Sequence, residues 1–173
     1  MNTSLSDFDT KCLNIAISVA KDTSDRGNYP VGAVLAIDDQ IIDQAGNEIQ
    51  QLKSSVNHAE NLLIIRNGNK LYSAWKNMQS ISLYSTLEPC VLCLGAAVIT
   101  RVDKIFYIQK DPHGGACDMK HDDIGAWYRK KWPEINHVPI SQEPLEMMVV
   151  YFKSEIAKGN TAWPETMLKL LKR

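Results

Sequence analysis

In the first 43 residues, apolar side chains recur at helical spacing and then form two short, nearly continuous runs. Between residues 8 and 19 they lie three or four positions apart, which predicts an amphipathic helix over residues 7–22. Two strand-like stretches follow at 31–37 and 40–43, separated only by Asp38 and Asp39. A two-residue polar connection between such stretches is typical of a tight β-hairpin.

The rest of the chain alternates strand-like and helix-like stretches. The predicted elements are helices at 58–66, 90–100, 124–131 and 143–157, and strands at 80–85, 104–108 and 137–140. Residues 46–57 are polar and irregular, and residues 111–118 are glycine-rich, so both are predicted loops. Alternation of strands and helices favours an α/β protein. We therefore expect a three-layer α/β/α sandwich with a mixed central sheet.

Two short motifs place metal-binding side chains at the starts of two predicted helices. His58 and Glu60 form an H-x-E motif, and Cys90 and Cys93 follow Pro89 in a P-C-x-x-C motif. One imidazole and two thiolates supply three zinc ligands and leave the fourth tetrahedral position open to water, as in catalytic sites. Helix N-termini also stabilise thiolates. The sequence thus predicts a Zn²⁺ site with Glu60 beside it as a catalytic proton carrier.

Two other interpretations of the cysteine pair remain to be weighed. A thioredoxin-like redox pair also has the C-x-x-C form, but it needs no H-x-E motif upstream. A closed structural zinc site needs a fourth protein ligand. The candidates for that ligand are Cys12, Cys117, His113, His121 and His137. Because none of them forms a second C-x-x-C motif or a closely spaced histidine pair, the open catalytic site is favoured.

Composition narrows the class of protein further. The chain has 173 residues, 45% hydrophobic and 23% charged, which is typical of one domain with a sizeable core. Four cysteines do not make a disulfide framework. No stretch approaches the ~18 apolar residues of a membrane span, and residues 1–18 lack the layout of a signal peptide, so we expect a cytoplasmic protein. The net charge of −1 provides no global field that attracts nucleic acid.

Several longer segments are similar to those of a known family. They are 29–34 (Y-P-V-G-A-V), 46–47 (G-N), 83–96 (L-Y-S-T-L-E-P-C-V-L-C-L-G-A), 101–105 (R-V-D-K-I), 110–111 (K-D) and 136–138 (N-H-V). Through these segments and the H-x-E and P-C-x-x-C motifs, the chain resembles the cytidine deaminase-like superfamily. Its nearest branch there is that of bacterial tRNA adenosine deaminases and guanine deaminases. The similarity extends from about residue 8 to residue 158.

The resemblance implies a reaction and a set of site residues. The reaction is hydrolytic removal of an exocyclic amine from a base, with Zn²⁺ as cofactor and Glu60 moving the protons. Asn47 and the Ala59 backbone are expected to contact the substrate base, Asp111 to lie near the ribose, and Val31 to form part of the apolar pocket wall. The resemblance also implies a homodimer.

Three functions remain open at this stage. The first is deamination of adenosine to inosine in tRNA, and the second is deamination of free guanine or another free nucleobase or nucleoside. The third is a catalytically inert zinc-binding partner subunit, which the presence of Glu60 disfavours. For all three, residues 1–158 are the expected deaminase domain, and residues 159–173 are an extension packed on it or flanking it.

An aromatic and basic segment at 123–134 departs from the compact bacterial enzymes. It contains Trp127, Tyr128 and Trp132 among arginine and lysine residues. Aromatic rings interleaved with cations can stack on exposed bases. Alternatively, this segment packs its aromatic rings on the core, which is the favoured interpretation, or it closes over a small-molecule pocket together with residues 162–173.

Overall fold

The computed structural model of the protein describes residues 5–122 and 124–171. The helices are α1 (Asp7–Asp25), α2 (Ile49–Leu52), α3 (Ala59–Arg66), α4 (Gly68–Lys76), α5 (Val91–Thr100), α6 (Ala126–Arg129), α7 (Glu143–Ala157) and α8 (Ala162–Leu170). The strands are β1 (Gly32–Ile37), β2 (Gln40–Gly46), β3 (Ile81–Leu87), β4 (Lys104–Gln109) and β5 (Glu134–His137). Residues 1–4, 123 and 172–173 belong to the predicted domain and extension but lie outside the described residues.

The described strands form one mixed sheet. Their order is β2-β1-β3-β4-β5; β1 runs antiparallel to both of its neighbours, whereas β3, β4 and β5 are parallel. Asp38 and Asp39 form the predicted hairpin turn, with φ values of 47° and 58°. Positive φ at both central residues is the conformation of a type I′ turn, whose twist matches that of the flanking strands.

Both faces of the sheet are covered by helices. Val34 and Ala36 of β1 point to one face, where they pack in an apolar cluster with α1. Ala33 and Leu35 point to the other face and join the cluster that contains buried residues of α3 and α5. Since alternate residues of a strand face opposite sides, this pattern defines the predicted three-layer α/β/α sandwich. Among the described residues, no helix combines the length and the apolarity needed to cross a lipid bilayer.

The structure adds helix α4, which the sequence pattern does not predict. Residues 67–69 (N-G-N) signal the end of a helix, and Asn67 does end α3. The same Asn67 also precedes the first residue of α4, so the chain starts a new helix without an intervening loop. Burial of Leu71 and Ala74, one turn apart, anchors α4 on the core. Strand β5 also begins earlier than the predicted strand at 137–140.

The aromatic segment differs from the favoured sequence interpretation. The helix predicted over 124–131 is only the single turn of α6. Trp127 and Tyr128 are 48% and 43% exposed, so the interpretation that they pack on the core is wrong. Trp132 does pack against the core cluster, and its ring stacks on His121 with 4.8 Å between ring centroids. Two large aromatic side chains therefore remain at the surface.

Gly32 is required by the close approach of α1 to the sheet. A Cβ atom at this position would overlap the carbonyl oxygen of Ala16 and lie 2.6 Å from the backbone nitrogen of Ala20. We expect Gly32→Ala to lower the free energy of unfolding by about 3 kcal/mol, because helix and strand must separate to admit the methyl group. Urea unfolding measures the change. Gly68→Ala is the control, since no atom lies within 4 Å of its Cβ position; equal midpoints for the two variants would contradict this account.

Candidate active site

Three side chains with metal-ligating atoms converge where two helices begin. His58 and Cys90 are the residues that immediately precede α3 and α5, and Cys93 lies in the first turn of α5. The His58 Nδ1 atom is 3.5 Å from Cys90 Sγ and 3.6 Å from Cys93 Sγ, and the two sulfur atoms are 3.8 Å apart. Because α3 and α5 pack side by side, residues distant in sequence meet at one point.

These distances fit a single tetrahedral zinc ion. Two thiolates at about 2.3 Å from Zn²⁺ lie about 3.8 Å apart at the tetrahedral angle, and a thiolate and an imidazole nitrogen about 3.6 Å apart. The chemistry of the donor set agrees, since one nitrogen and two sulfur ligands suit zinc. Within the described part of the chain, His58, Cys90 and Cys93 form the group that could hold a metal ion. The residues present therefore fit the group that the motifs predict.

The electrostatics of the cluster favour a thiolate. A hydrogen bond from the Cys93 thiol and the nearby His58 ring lower the pKa of Cys90 to about 3. The same contact with Cys90 raises the pKa of His58. Cys93 is buried and donates to Cys90, so its thiol pKa is raised. The lowered pKa of Cys90 favours the thiolate, which is the form that ligates a metal.

Glu60 lies beside the metal-ligating cluster but outside it. The side chain is only 3% exposed, and its Oε1 atom accepts a hydrogen bond of 3.0 Å from the Ser85 hydroxyl. Its other oxygen, Oε2, is 3.6 Å from Cys93 Sγ. Burial raises the pKa of the Glu60 carboxyl. A carboxyl group with a raised pKa, fixed in place by Ser85, is suited to take up and release a proton.

A cavity of about 360 Å³ opens onto this cluster. It is lined by Tyr29, Val31, Asn47, Ile49, Gln50, His58, Glu60, Leu87, Glu88, Cys90, Asp111, His113, Gly114, Trp163 and Met167. Of the residues expected to contact substrate, the structure places Val31, Asn47 and Asp111 in the lining. Ala59 is fully buried at the start of α3 and does not line the described cavity. A cavity of this size accommodates a base or nucleoside.

Asn47 is held rigidly in the cavity wall. Its backbone N–H donates to the Val31 carbonyl at 2.9 Å, and its side-chain oxygen accepts a hydrogen bond of 3.0 Å from the Ile49 N–H. The Ile49 N–H belongs to the first residue of α2, so Asn47 also orders this short helix. Among the described residues, none accepts a hydrogen bond from the Asn47 amide nitrogen. That nitrogen is available to a ligand.

The comparison with known families decides what kind of site this is. The model of the cytidine and deoxycytidylate deaminase zinc-binding region matches residues 6–109, which include His58, Glu60, Cys90 and Cys93. The chain belongs to this deaminase family. It is therefore a member of a family of zinc-binding deaminases, and the predicted cytidine deaminase-like fold is confirmed.

Individual relatives of the deaminase agree with this assignment. A tRNA-specific adenosine deaminase of Aquifex aeolicus (strain VF5) is 33% identical over 144 residues, which cover 82% of this chain and 91% of that protein. A solved structure from work on A-to-I editing by tRNA:A34 deaminases is 26% identical, with a TM-score of 0.62, and covers 80% of this chain and 99% of its own. Guanine deaminase from Bacillus subtilis shares the fold at 23% identity, with a TM-score of 0.53 over 91% of this chain and 96% of that one.

Sequence reasoning missed a buried carboxylate of the deaminase, Glu88. Its Oε2 atom accepts a hydrogen bond of 3.1 Å from the Asp111 N–H, and its Oε1 atom accepts one of 3.0 Å from the Cys117 N–H. A Cβ atom on Gly115 would overlap the same carboxyl group, so the glycine lets the loop close on it. Glu88 thus ties the loop that carries Asp111 to the segment that carries Cys90. A charged residue between a buried strand and a metal ligand is the sequence signal for this role.

Glu88→Gln tests whether the Glu88 carboxylate holds the loop that carries Asp111 in place. The amide keeps one acceptor but presents an N–H₂ group to a backbone N–H, so one of the two hydrogen bonds is lost. We expect the free energy of unfolding to fall by about 1–3 kcal/mol, and KM to rise because Asp111 loses its support. Urea unfolding and steady-state kinetics measure the two effects. Unchanged KM together with unchanged stability would show that the loop does not depend on Glu88.

Helix α8 supplies one wall of the cavity through Trp163 and Met167. Met167 is almost fully buried, whereas Trp163 is half-exposed at the cavity rim. The Trp163 ring lies 5.9 Å from that of Tyr29 and 5.0 Å from that of Phe152, between ring centroids. The alternative in which residues 162–173 close over a pocket thus agrees with the structure for Trp163 and Met167, whereas the described residues of the aromatic segment at 123–134 do not line this cavity.

Proposed function

We propose that this deaminase binds Zn²⁺ through His58, Cys90 and Cys93 and converts adenosine to inosine in tRNA. The observation that carries the proposal is the convergence of these three side chains beside buried Glu60, at the cavity. Three protein ligands with an acid–base carboxyl group next to them are the arrangement of a hydrolytic zinc site. The substrate assignment is supported by the relative from Aquifex aeolicus, which is a tRNA-specific adenosine deaminase and matches over most of both chains.

The reaction adds water to the amine-bearing ring carbon and releases ammonia. When bound, Zn²⁺ supplies the Lewis acidity that brings the pKa of a water ligand towards neutrality. Glu60 takes a proton from the attacking water, delivers it to the ring nitrogen, and then passes a proton to the departing amine. Ser85 keeps the Glu60 carboxyl group oriented for both transfers.

The remaining cavity residues position the substrate. Asn47 donates from its amide nitrogen to the base or the sugar. The Ala59 backbone, which the family resemblance assigns to the ring edge, lies at the start of α3 between the lining residues His58 and Glu60 but does not itself line the cavity. Asp111 accepts from the ribose, and Val31 packs on the ring. These contacts hold the base within reach of Glu60, and such positioning contributes several kcal/mol to catalysis.

Free guanine or another free base is the second candidate substrate. The observation that favours it is the wall formed by Trp163 and Met167, which closes one side of the cavity as a pocket for a small molecule would require. In this case the half-exposed Trp163 ring contacts the bound base itself.

Ammonia release distinguishes the two candidates. The zinc-loaded protein is incubated in parallel with an adenosine-containing tRNA anticodon stem-loop and with free guanine, adenine, cytosine and their nucleosides. We expect inosine in the stem-loop and no turnover of free bases. Turnover of a free base with the RNA unchanged would contradict the tRNA proposal and indicate an enzyme of nucleobase salvage. Absence of turnover with every substrate would contradict deaminase activity itself.

We further propose that the protein is a cytoplasmic homodimer. Val91 and Leu92 expose apolar side chains at the start of α5, the helix that carries the metal ligands, and a second copy can cover them. Residues 1–158 would then form the deaminase domain, and residues 159–173 the extension that completes the cavity. Light scattering should give the mass of a dimer for the natural protein and of a monomer for Val91→Asp; a monomeric natural protein would contradict the proposal.

A further inference from the structure

A second cavity lies at the opposite end of α5 from the metal-ligating cluster and is lined by cations and aromatic rings. We call the surface around it the basic groove and define it by Trp75, Arg101 and Lys131, which line the cavity, and by Lys76 and Trp127, which lie beside these residues. The Arg101 guanidinium lies 3.7 Å from the centroid of the Trp75 ring and 5.7 Å from that of Trp127. Lys131 Nζ is 2.8 Å from the centroid of Trp127, and Lys76 Nζ is 4.8 Å from that of Trp75. Each cation therefore sits on an indole face.

The basic groove is large enough for part of a macromolecular ligand. The cavity at its centre has a volume of about 540 Å³ and is also lined by Lys130 and Trp132. Arg101, one of the residues that line the cavity, lies at the C-terminal end of α5, eight residues beyond Cys93. At about 1.5 Å per residue, the groove starts about 12 Å from the metal ligands along that helix. A stem-loop held at the catalytic cavity is long enough to reach this distance.

The cations of the basic groove are not neutralised within the protein. Among the described residues, no carboxylate forms a salt bridge with Lys76, Arg101 or Lys131. Asp103 also lines the cavity and contributes a negative charge, but its carboxylate is turned to the Ile81 N–H, at 2.8 Å, and forms no salt bridge among the described residues. Lys131 Nζ is buried and has no hydrogen-bond acceptor among the described residues. Grouped cations without acidic partners are stabilised by an anionic ligand, on a chain whose net charge is only −1.

Aromatic rings exposed beside these cations point to a nucleic acid. Trp127 and Tyr72 are 48% and 60% exposed, and Lys76 and Lys131 lie next to them. Stacking of a base on such a ring contributes about 1–3 kcal/mol, and neighbouring cations bind the phosphates. An isologous contact with a second copy would instead bring the same cations of both copies together, which is unfavourable.

We propose that the basic groove binds a single-stranded segment of the RNA substrate, with phosphates on Arg101 and Lys76 and a base stacked on Trp127. This inference rests on the proposed tRNA substrate. It identifies where a chain without overall positive charge obtains its affinity for RNA. The groove contacts RNA outside the reacting nucleotide, so it contributes to binding and not to the chemical step.

The salt dependence of RNA binding tests the proposal. Affinity for a labelled anticodon stem-loop is measured by fluorescence anisotropy at several salt concentrations, in a Glu60→Gln background that prevents turnover. Arg101→Gln/Lys76→Gln removes the two groove cations proposed to bind phosphate, and Lys21→Gln/Lys153→Gln removes two exposed lysines elsewhere as the control of equal charge. The groove variant should bind at least about fivefold more weakly, and its log–log salt slope should become shallower by about 1.4, which is 0.7 for each lost phosphate contact.

Further variants separate the possible outcomes. Lys76→Gln alone, at an exposed side chain, should bind the RNA more weakly even if the double variant folds poorly. Trp127→Ala should also weaken binding, and Trp127→Phe should restore most of it. Equal RNA affinity and equal salt slope for the groove and control variants would overturn the inference while leaving the tRNA proposal intact. A groove variant whose oligomeric mass changes while its RNA affinity does not would have the same meaning. Deamination of a free base by a protein that does not bind the stem-loop would overturn both.

Discussion

Glu60→Gln should lower kcat by about 10²–10⁴-fold while the protein keeps its zinc. Glutamine has nearly the same shape as glutamate and still accepts from Ser85, but it cannot take a proton from water. The three proposed ligands, His58, Cys90 and Cys93, are unchanged by the substitution. Metal analysis of the purified variant and steady-state deamination rates measure the two quantities.

Ser85→Ala is the matched control for this variant. It leaves the Glu60 carboxyl group in place and removes the 3.0 Å hydrogen bond that orients it. A reduction of kcat much smaller than that of Glu60→Gln is expected, because orientation is impaired and the proton carrier is retained. If Glu60→Gln lost zinc together with activity, Glu60 would be a structural part of the metal site, and its role as proton carrier would be contradicted.

Cys93→Ala is expected to abolish both zinc binding and turnover. Two remaining ligands cannot hold a tetrahedral ion firmly, and loss of the metal removes several kcal/mol of catalytic stabilisation, a rate loss of roughly 10³-fold or more. Since a ligand that binds the native state stabilises it, zinc should raise the melting temperature of the natural protein and not that of Cys93→Ala. Calorimetry with and without added zinc measures this difference.

Cys12→Ala provides the control for the loss of a buried thiol. Cys12 and Cys93 are both fully buried, and burial raises the pKa of the Cys12 thiol to about 12, so it acts as a small neutral core residue. Cys12→Ala should retain zinc, turnover and the zinc-dependent rise in melting temperature, with a modest loss of stability. Loss of zinc from Cys12→Ala as well would mean that the Cys93 effect reflects general destabilisation.

Local sequence patterns predicted the sandwich and the metal-ligating cluster because the required information is short in range. The interval between Cys90 and Cys93 lies within one helical turn, and burial of alternate residues of β1 follows from its apolar run. His58 and Cys90 needed only that two helices start side by side. The family resemblance then added Asn47 and Asp111, which the structure places in the cavity lining.

Features that depend on distant contacts escaped prediction. Glu88 binds backbone groups of residues 23 and 29 positions later, and no local pattern encodes such partners. Trp127 was expected on the core because large aromatic residues are usually buried, yet it stays at the surface beside Lys131 and Arg101. The sequence predicted residues 162–173 as a pocket wall only as one alternative, because the place of Trp163 depends on how α8 packs on α7.

The wall formed by α8 links ligand occupancy to the docking of a helix. Trp163 and Met167 line the cavity only while α8 is packed in place, so a ligand that touches them binds the docked state more tightly than the undocked one. By thermodynamic linkage, such a ligand must lower the population of the state in which α8 is undocked. Amide hydrogen exchange within residues 162–170 therefore becomes a reporter of cavity occupancy, readable even for compounds that are bound without being turned over.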